Sequence, residues 1–265
     1  MFIHNIDPIL LSIGPFQIRY YGLFWVVGFI MTYLLLSHLA KKRELSITKD
    51  DVADLLLYII VGVILGARIF YVFVYNLPFY LSNPFEIIAI WHGGLAFHGG
   101  LIGAVIALIY YVKKKNISFY EIADIAVIPV ALGLALGRLG NFTNGELIGH
   151  ITNVSWCVDY SQNQFIGNAP EGCRHPSQIY ASFKNLIIFF TLWAIKDKNL
   201  PKGFMFWTFI VMYSTLRFLV GFFRTPDPQL GFILGPLTMG QLLNIIMFAV
   251  GAFFLYRVHK KGKQE

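Results

Sequence analysis

Charged residues are scarce in this sequence. Asp, Glu, Lys and Arg make up 13% of the 265 residues, whereas a soluble domain carries about 25%. A water-soluble globule of this length would therefore have too few charges to cover its surface. Disorder is excluded as well, because 57% of the residues are hydrophobic and 17% are aromatic. The composition indicates a membrane protein that crosses the bilayer several times.

Cysteine is also rare, and Cys157 and Cys173 are the only two. The sequence contains no Cys-x-x-Cys, so no metal site and no redox motif is indicated, and we expect no cofactor. Both cysteines lie in a polar stretch over residues 142–177. In an oxidising compartment they can form a disulfide. A disulfide and two free thiols are both compatible with the sequence.

Seven apolar stretches are long enough to span a bilayer, since a transmembrane helix needs about 20 apolar residues. They cover residues 20–40, 52–75, 95–112, 121–141, 178–195, 203–223 and 236–257. The sequence thus predicts an all-α polytopic membrane protein with seven transmembrane helices, in which residues 1–265 form a single integral membrane domain. Among the connections, residues 76–94 form an outer loop and residues 142–177 form a small extracytoplasmic head.

The basic residues predict the orientation of the chain. Fourteen of the 21 lie in alternate loops: Lys41, Lys42, Arg43 and Lys49, then Lys113, Lys114 and Lys115, then Lys196, Lys198 and Lys202, and finally Arg257, Lys260, Lys261 and Lys263. By the positive-inside rule these loops are cytoplasmic, so the N-terminus lies outside and the C-terminus in the cytoplasm. We interpret the net charge of +7 as orienting the chain in the cell membrane and contacting anionic membrane lipids. It does not indicate a nucleic-acid partner.

The other seven basic residues fall in the outer half of the bilayer or in the outer loops. They are Arg19, Arg68, Arg138, Arg174, Lys184, Arg217 and Arg224. Several cations at one depth repel one another in a low dielectric unless an anion lies among them. Arginine also presents a planar fork that matches phosphate oxygens. The pattern therefore predicts a site for lipid phosphate in the outer half of the bilayer. A small-anion transporter or channel is the alternative, although the sequence lacks the internal repeat of many transporters.

Two glycine-rich segments contain the partners for such a site, residues 91–100 and residues 137–149. Their glycines are explained by close helix packing, whereas polar side chains at membrane depth are costly. The polar residues that packing leaves unexplained are His98, Arg138, Asn141, Asn144 and Glu146. The string Asn144-Gly145-Glu146 predicts the end of a helix and a loop that lines a polar cavity.

These segments resemble the prolipoprotein diacylglyceryl transferases of bacterial cytoplasmic membranes. The family signature, Gly-Arg-x-Gly-Asn-Phe-x-Asn-Gly-Glu-x-x-Gly, is matched at every fixed position from Gly137 to Gly149. Other matching motifs occur in the same order, at residues 19–22, 66–68, 92–94, 98–100, 175–180, 217–218 and 223–227. The resemblance implies that the chain transfers the diacylglyceryl group of phosphatidylglycerol to the lipobox cysteine thiol of a prolipoprotein. This first step of lipoprotein maturation forms a thioether and releases glycerol phosphate.

The resemblance also implies roles for individual residues, without a metal. The residues assigned to catalysis are His98, Arg138, Arg217 and Tyr21, and those assigned to phosphatidylglycerol are Arg138, Asn141, Glu146, Gly149, Arg217, Arg68 and Arg224. Because a free thiol has a pKa of about 8.5, it needs a base or a cationic field to become a thiolate. His98, with a reference pKa of about 6.5, is the candidate base. A plain hydrogen bond from His98 to the backbone is the alternative.

The sequence departs from the family pattern at three places. Family members usually carry Glu where Ala181 and Gly221 stand, and Trp-Gly-Arg where residues 148–150 read Ile-Gly-His. Two carboxylates are thereby removed from a cluster of cations. Glu146 becomes the main remaining counter-ion, and the departures bear on lipid selectivity more than on the reaction.

Overall fold

The computed structural model describes residues 1–14, 16–226 and 231–262, with the side chains of all of these except Phe97 and His98. Its elements in chain order are β1 (Phe2–Ile3), β2 (Ile9–Ile13), β3 (Phe16–Arg19), α1 (Tyr20–Lys42), α2 (Lys49–Phe70), α3 (Leu77–Ser82), α4 (Phe97–Lys114), α5 (Phe119–Thr143), β4 (Val158–Asp159), β5 (Cys173–Arg174), α6 (Ser177–Ile195), α7 (Phe204–Gly221), β6 (Phe232–Leu234), β7 (Leu237–Thr238) and α8 (Met239–Lys261). A π-helical turn, Tyr71–Tyr75, continues α2.

Six helices of the described residues are long and apolar enough to cross a membrane: α1, α2 with its continuation to Tyr75, α5, α6, α7 and α8. A polytopic, mostly helical membrane protein is therefore confirmed. The third predicted span, 95–112, corresponds to α4, which is not among the six. This helix has 18 residues and ends on Lys113 and Lys114. The membrane crossing of α4, which would make seven spans, and the orientation of the chain stay predictions.

The backbone divides into two compact units. One comprises Leu36–Ile122, and the other comprises Met1–Leu35 together with Ala123–Glu265. We call them the small unit and the large unit and describe each by itself. The single domain predicted over residues 1–265 stays a prediction.

In the small unit, α2 and α4 pack backbone against backbone. A Cβ atom added to Gly62 would lie 2.6 Å from the carbonyl oxygen of Gly103, and one added to Gly66 would overlap the carbonyl oxygen of Gly99. Each helix thus presents two glycines four residues apart, the spacing that lets membrane helices approach closely. The packing interpretation of the glycines in residues 91–100 is confirmed for Gly99.

In the large unit, α5 is the central helix, and Ile125, Ile128, Ala131 and Ala135 on it are almost fully buried. Its neighbour α6 is attached by a hydrogen bond of 3.0 Å from Ser182 Oγ to the Ala135 carbonyl.

The start of α7 is attached to α5 through a carboxylate. The side chain of Asp124 accepts hydrogen bonds from the backbone N–H groups of Gly203 at 2.6 Å and Phe206 at 2.8 Å. A carboxylate at this place satisfies free N–H groups of a helix N-terminus and complements the helix dipole. Asp124 therefore fixes where α7 begins on α5.

The large unit also contains short strands outside the candidate spans, which the sequence did not predict. β1 pairs parallel to β4, and β4 pairs antiparallel to β5. A disulfide joins Cys157 to Cys173 beside these strands, which decides between the two alternatives left open for the cysteines. The strands β2 and β3 form an antiparallel hairpin that leads directly into α1.

Candidate active site

The signature segment ends α5 and reverses the chain. After Thr143 the backbone enters the left-handed region at Gly145, with φ +64°, and again at Leu147, with φ +59°. A Cβ atom on Gly145 would overlap the side chain of Ile166, so this turn requires glycine on both conformational and steric grounds. The reversal places Glu146 back against the last turn of α5, where its N–H donates to the Asn141 carbonyl at 3.1 Å.

Asn141 links Arg138 to Glu146. Its side-chain Nδ2 donates to Glu146 Oε1 at 2.7 Å, and its Oδ1 accepts from Arg138 Nη1 at 3.3 Å. Asn144 Nδ2 donates to the same Oε1 at 3.4 Å. Among the residues that the structure describes, the cation and the carboxylate are thus connected through an amide and not through a direct ion pair. Glu146 is therefore an indirect counter-ion of Arg138, linked to it through the side chain of Asn141.

The start of α6 holds the other side of this turn. Gln178 Nε2 donates to the Glu146 carbonyl at 2.6 Å, and Ser177 Oγ donates to the Leu147 carbonyl at 2.6 Å. Ser177 and Gln178 are buried and Leu147 is half-buried, whereas Glu146 is exposed. A residue with a left-handed backbone such as Leu147 is strained, and these two bonds hold it in place.

Gly149 lies where three pieces of chain meet. It forms an isolated β-bridge with Arg224, and Arg174 Nη1 donates to its carbonyl at 3.2 Å. A Cβ atom here would overlap the carbonyl oxygen of His175 and lie 2.5 Å from that of Phe223. No side chain fits, so Gly149 allows the signature segment to contact the end of α7.

Three arginines line one cavity in the large unit. Arg138 approaches from α5, Arg217 from α7 and Arg224 from the residues after α7. The remaining wall is Leu147, Ser177, Gln178, Ala181 and Val220. Arg217 and Arg224 also line an adjoining open pocket at the start of α8. No carboxylate lines either space within the described residues, so the walls favour an anion.

Tyr21 lies beside this cluster at the start of α1. Its ring packs on Gly140, where an added Cβ atom would come within 2.9 Å of the ring. Tyr21 and Tyr213 are both close enough to Arg138 to interact with its charge. The structure thus groups seven predicted site residues in the large unit: Tyr21, Arg138, Asn141, Glu146, Gly149, Arg217 and Arg224.

The other two predicted site residues, Arg68 and His98, belong to the small unit. Arg68 is only 5% exposed, and its guanidinium donates to five backbone carbonyls. Nε bonds Ile87 at 2.9 Å, Nη1 bonds Gly94 at 3.0 Å and also Gly93, and Nη2 bonds Ala89 at 3.1 Å and also Glu86. In the structure Arg68 therefore fastens residues 86–94, and its assignment to phosphatidylglycerol stays a prediction. The side chain of His98 lies outside the described residues.

Comparison with known proteins identifies the family. The sequence model of the prolipoprotein diacylglyceryl transferases matches residues 8–257. A phosphatidylglycerol–prolipoprotein diacylglyceryl transferase of Geobacter sulfurreducens is 45% identical over 248 residues, 93% of each chain. Proteins of the same name from Desulfotalea psychrophila and Vibrio campbellii are 39% and 40% identical, over 97% of this chain and 96% and 93% of theirs. The chain belongs to the prolipoprotein diacylglyceryl transferase family.

The departures from the family pattern lie around the arginines of this transferase. Ala181 lines the cavity of the three arginines, and Gly221 lines the adjoining pocket. A Cβ atom on Gly221 would lie 2.8 Å from Cγ of Gln241, a buried residue whose amide donates to the Phe218 carbonyl at 3.4 Å. A neutral amide thus occupies the space beside Gly221, and the site lacks the two carboxylates expected there from the family pattern.

Sequence reasoning did not assign a role to four residues that the structure places in or beside this transferase site. They are Ser177, Gln178, Lys184 and Tyr213. Ser177 and Gln178 lie in a motif that the sequence analysis recognised, but their function as anchors depends on a turn about 30 residues earlier. Lys184 was one of the seven basic residues placed outside the cytoplasmic loops, without a role of its own, and Tyr213 carries no signal in the sequence.

A hydrogen-bonded group of aromatic side chains lies at the start of α6. Trp156 Nε1 donates to the Tyr180 hydroxyl at 2.7 Å, and that hydroxyl is 3.1 Å from His175 Nδ1. Burial, together with the neighbouring His150, lowers the pKa of His175 below its usual value. The lowered pKa of His175 favours the neutral imidazole beside the Tyr180 hydroxyl, next to the backbone that contacts Gly149.

Proposed function

We propose that this transferase moves the diacylglyceryl group of phosphatidylglycerol to the lipobox cysteine of a prolipoprotein. The thiolate sulfur attacks the glyceryl carbon that carries the phosphate, so a carbon–sulfur bond forms and a carbon–oxygen bond breaks. The electron pair stays on the phosphate oxygen, and glycerol phosphate leaves. The thiol proton passes to a base. The observation that carries the proposal is the cavity shared by Arg138, Arg217 and Arg224, in a chain of this family.

The three arginines suit the leaving group. Negative charge grows on the phosphate oxygens as the carbon–oxygen bond breaks, and preorganised cations at that place stabilise the transition state more than the ground state. Asn141 and Glu146 orient Arg138 through hydrogen bonds. Arginine keeps its charge when buried and can bind two phosphate oxygens at once. Tyr21 and Gly149 shape the walls of the site.

His98 is the proposed base, and Arg68 the proposed additional contact to phosphatidylglycerol. His98 stands at the start of α4 in a segment that matches the family motif, and an imidazole titrates near the pH at which the thiol must lose its proton. A cationic field alone also favours a thiolate. A pH–rate profile of His98→Gln decides between them, because an unchanged acid limb removes His98 from the mechanism.

The protein's place in the cell follows from the basic loops. We infer a protein of the cytoplasmic membrane with seven spans including α4, the N-terminus outside, and the site in the outer half of the bilayer. The alternating Lys and Arg residues support this orientation. The disulfide between Cys157 and Cys173 supports an outer position for residues 142–177, since disulfides persist in oxidising compartments.

The test uses purified protein reconstituted in vesicles that contain phosphatidylglycerol, with a lipobox peptide as acceptor and thioether formation as the readout. We expect Arg138→Ala and Arg217→Ala to lower kcat/KM at least about a hundredfold, the effect of removing a group that stabilises charge in the transition state. Arg257→Ala, an exposed arginine in α8, is the matched control. Full activity in Arg138→Ala would contradict the phosphate role. Anion flux through vesicles without a peptide or lipid substrate would favour a transporter, which the family membership disfavours.

A further inference from the structure

The hairpin of β2 and β3 exposes a continuous apolar face. Its register pairs Ile13 with Phe16 and Leu11 with Ile18. Because alternate residues of a strand point to opposite sides of a sheet, and directly paired residues point to the same side, these four side chains share one face. They are between 46% and 75% exposed. The hairpin thus carries an apolar surface that is open to its surroundings.

The other face of the hairpin is polar. Ser12 pairs with Gln17 on this face, and Arg19 follows two residues after Gln17. Arg19 Nη2 donates a hydrogen bond of 3.3 Å to Gln17 Oε1, so both side chains lie on the same side. Leu10 lies where the register shifts, ahead of these pairs, and belongs to neither set. This alternation is typical of a sheet with one buried face and one solvated face.

The hairpin is joined to a candidate membrane span without a linker. β3 ends at Arg19 and α1 begins at Tyr20, and α1 is long and apolar enough to cross a membrane. The Tyr20 N–H also donates to the carbonyl of Pro8, the residue before β2, at 3.1 Å. Both ends of the hairpin therefore meet at the start of α1. A helix that spans the bilayer begins near the bilayer surface, and this places the hairpin at the same level.

The bilayer interface suits both faces of the hairpin. A two-stranded hairpin alone is only marginally stable in water, and contiguous exposed apolar surfaces mark interaction sites. At the interface the apolar face contacts lipid chains, while Gln17 and Arg19 contact water and headgroups. Arginine is attracted to anionic lipid there. Tyrosine is enriched at this depth, and α1 begins with Tyr20 and Tyr21.

We propose that the β2–β3 hairpin is a membrane anchor that lies along the bilayer interface at the start of α1. Its lipid-facing side chains are Leu11, Ile13, Phe16 and Ile18. The partner is a lipid surface and not a peptide, because the hairpin continues directly into a candidate span and combines an apolar face with a basic, polar one. The anchor takes no part in the transfer reaction, so it is independent of the proposed function.

The experiment measures the depth of each face with spin labels. The two cysteines of the chain form a disulfide, so an introduced cysteine is the single free thiol. Phe16→Cys labels the apolar face, and Gln17→Cys, the next residue, is the matched control on the polar face. Both proteins carry a nitroxide label in vesicles of phosphatidylglycerol and phosphatidylcholine. Electron paramagnetic resonance compares collisions with oxygen, which concentrates in lipid, and with a nickel complex, which stays in water.

We expect the ratio of oxygen to nickel collisions to be about fivefold higher at residue 16 than at residue 17, as for side chains buried about 5–10 Å into the headgroup boundary. Equal ratios at the two positions overturn the proposal. A label at residue 16 that leaves water only when a lipobox peptide is added overturns it too, because a peptide then covers the face. Should Phe16→Cys fail to fold, Leu11→Cys replaces it and is compared with the same control by the same criterion.

Discussion

The side-chain amide of Asn141 donates a hydrogen bond of 2.7 Å to Glu146, five residues later. This bond holds the chain reversal after α5. Because Asn141 also accepts a hydrogen bond from Arg138, it links the carboxylate of Glu146 to the guanidinium of Arg138. We expect Asn141→Ala to reduce transfer at least tenfold and to lower the free energy of unfolding by about 1.5–3 kcal/mol, the usual contribution of a hydrogen bond to a charged group. Transfer assays and thermal unfolding in detergent check both effects.

The substitution Glu146→Gln complements that variant. It keeps an acceptor for Asn141 but removes the charge, so we expect a small change in unfolding temperature and a clear loss of activity. If Glu146→Gln and wild type have equal activity, the charge of Glu146 is not needed and only its geometry matters.

Gly149 allows the signature segment to contact the end of α7, and any side chain there overlaps backbone. We expect Gly149→Ala to destabilise the protein by about 1–3 kcal/mol, typical of overpacking, and to abolish transfer. Gly167→Ala is the control, since an added Cβ atom there meets nothing within 4 Å. Equal unfolding temperatures for the two variants would contradict the steric role of Gly149.

Arg68 holds residues 86–94 through hydrogen bonds from all three guanidinium nitrogens, and it packs over the Tyr80 ring at 5.1 Å. A lysine has no fork and cannot reach these carbonyls together. We expect Arg68→Lys to speed backbone hydrogen exchange over residues 86–94 several-fold, while Arg19→Lys, which changes an exposed arginine, leaves it unchanged. Unaltered exchange in Arg68→Lys would show that the segment is held by other contacts.

His4 attaches the N-terminal strand to the end of α5. It is fully buried, its Nε2 bonds the Phe142 carbonyl at 2.7 Å, and its Nδ1 lies 2.7 Å from Asn163 Nδ2. Burial lowers the pKa of His4. The unfolded chain then binds more protons than the folded one. The contribution of the neutral, buried His4 to the free energy of unfolding is therefore fully present above the unfolded pKa of about 6.5 and is lost as the pH falls below it.

Thermal unfolding between pH 8 and pH 5 tests the role of His4. We expect the wild-type unfolding temperature to fall with pH below about 6.5, and the fall to be smaller in His4→Gln, which cannot titrate. His175 shifts in the same direction and keeps part of the effect in the variant. The same pH dependence in His4→Gln as in wild type would assign the effect to other groups.

Much of the fold could be predicted from sequence because the apolar spans are local features. The stretch 121–141 became α5 at Phe119–Thr143, and 178–195 became α6 at Ser177–Ile195. A helix satisfies its backbone hydrogen-bonding groups within its own segment, so a long apolar run predicts a membrane helix without knowledge of the neighbouring helices. The same holds for the helix end that Asn144-Gly145-Glu146 predicted, since the turn depends on a glycine within it.

The tertiary structure decided what depends on distant partners. The antiparallel pairing of β4 with β5 brings Cys157, directly before β4, to Cys173 in β5, and the two form a disulfide. The donors of Arg68 point to backbone carbonyls about 20 residues further along the chain. Ser177 and Gln178 hold the turn that follows α5, about 30 residues earlier in the chain. Charge scarcity made each intramembrane cation informative, but only packing brings Arg138, Arg217 and Arg224 to one cavity. Side chains far apart in sequence meet through the close packing of helices, which no local pattern encodes.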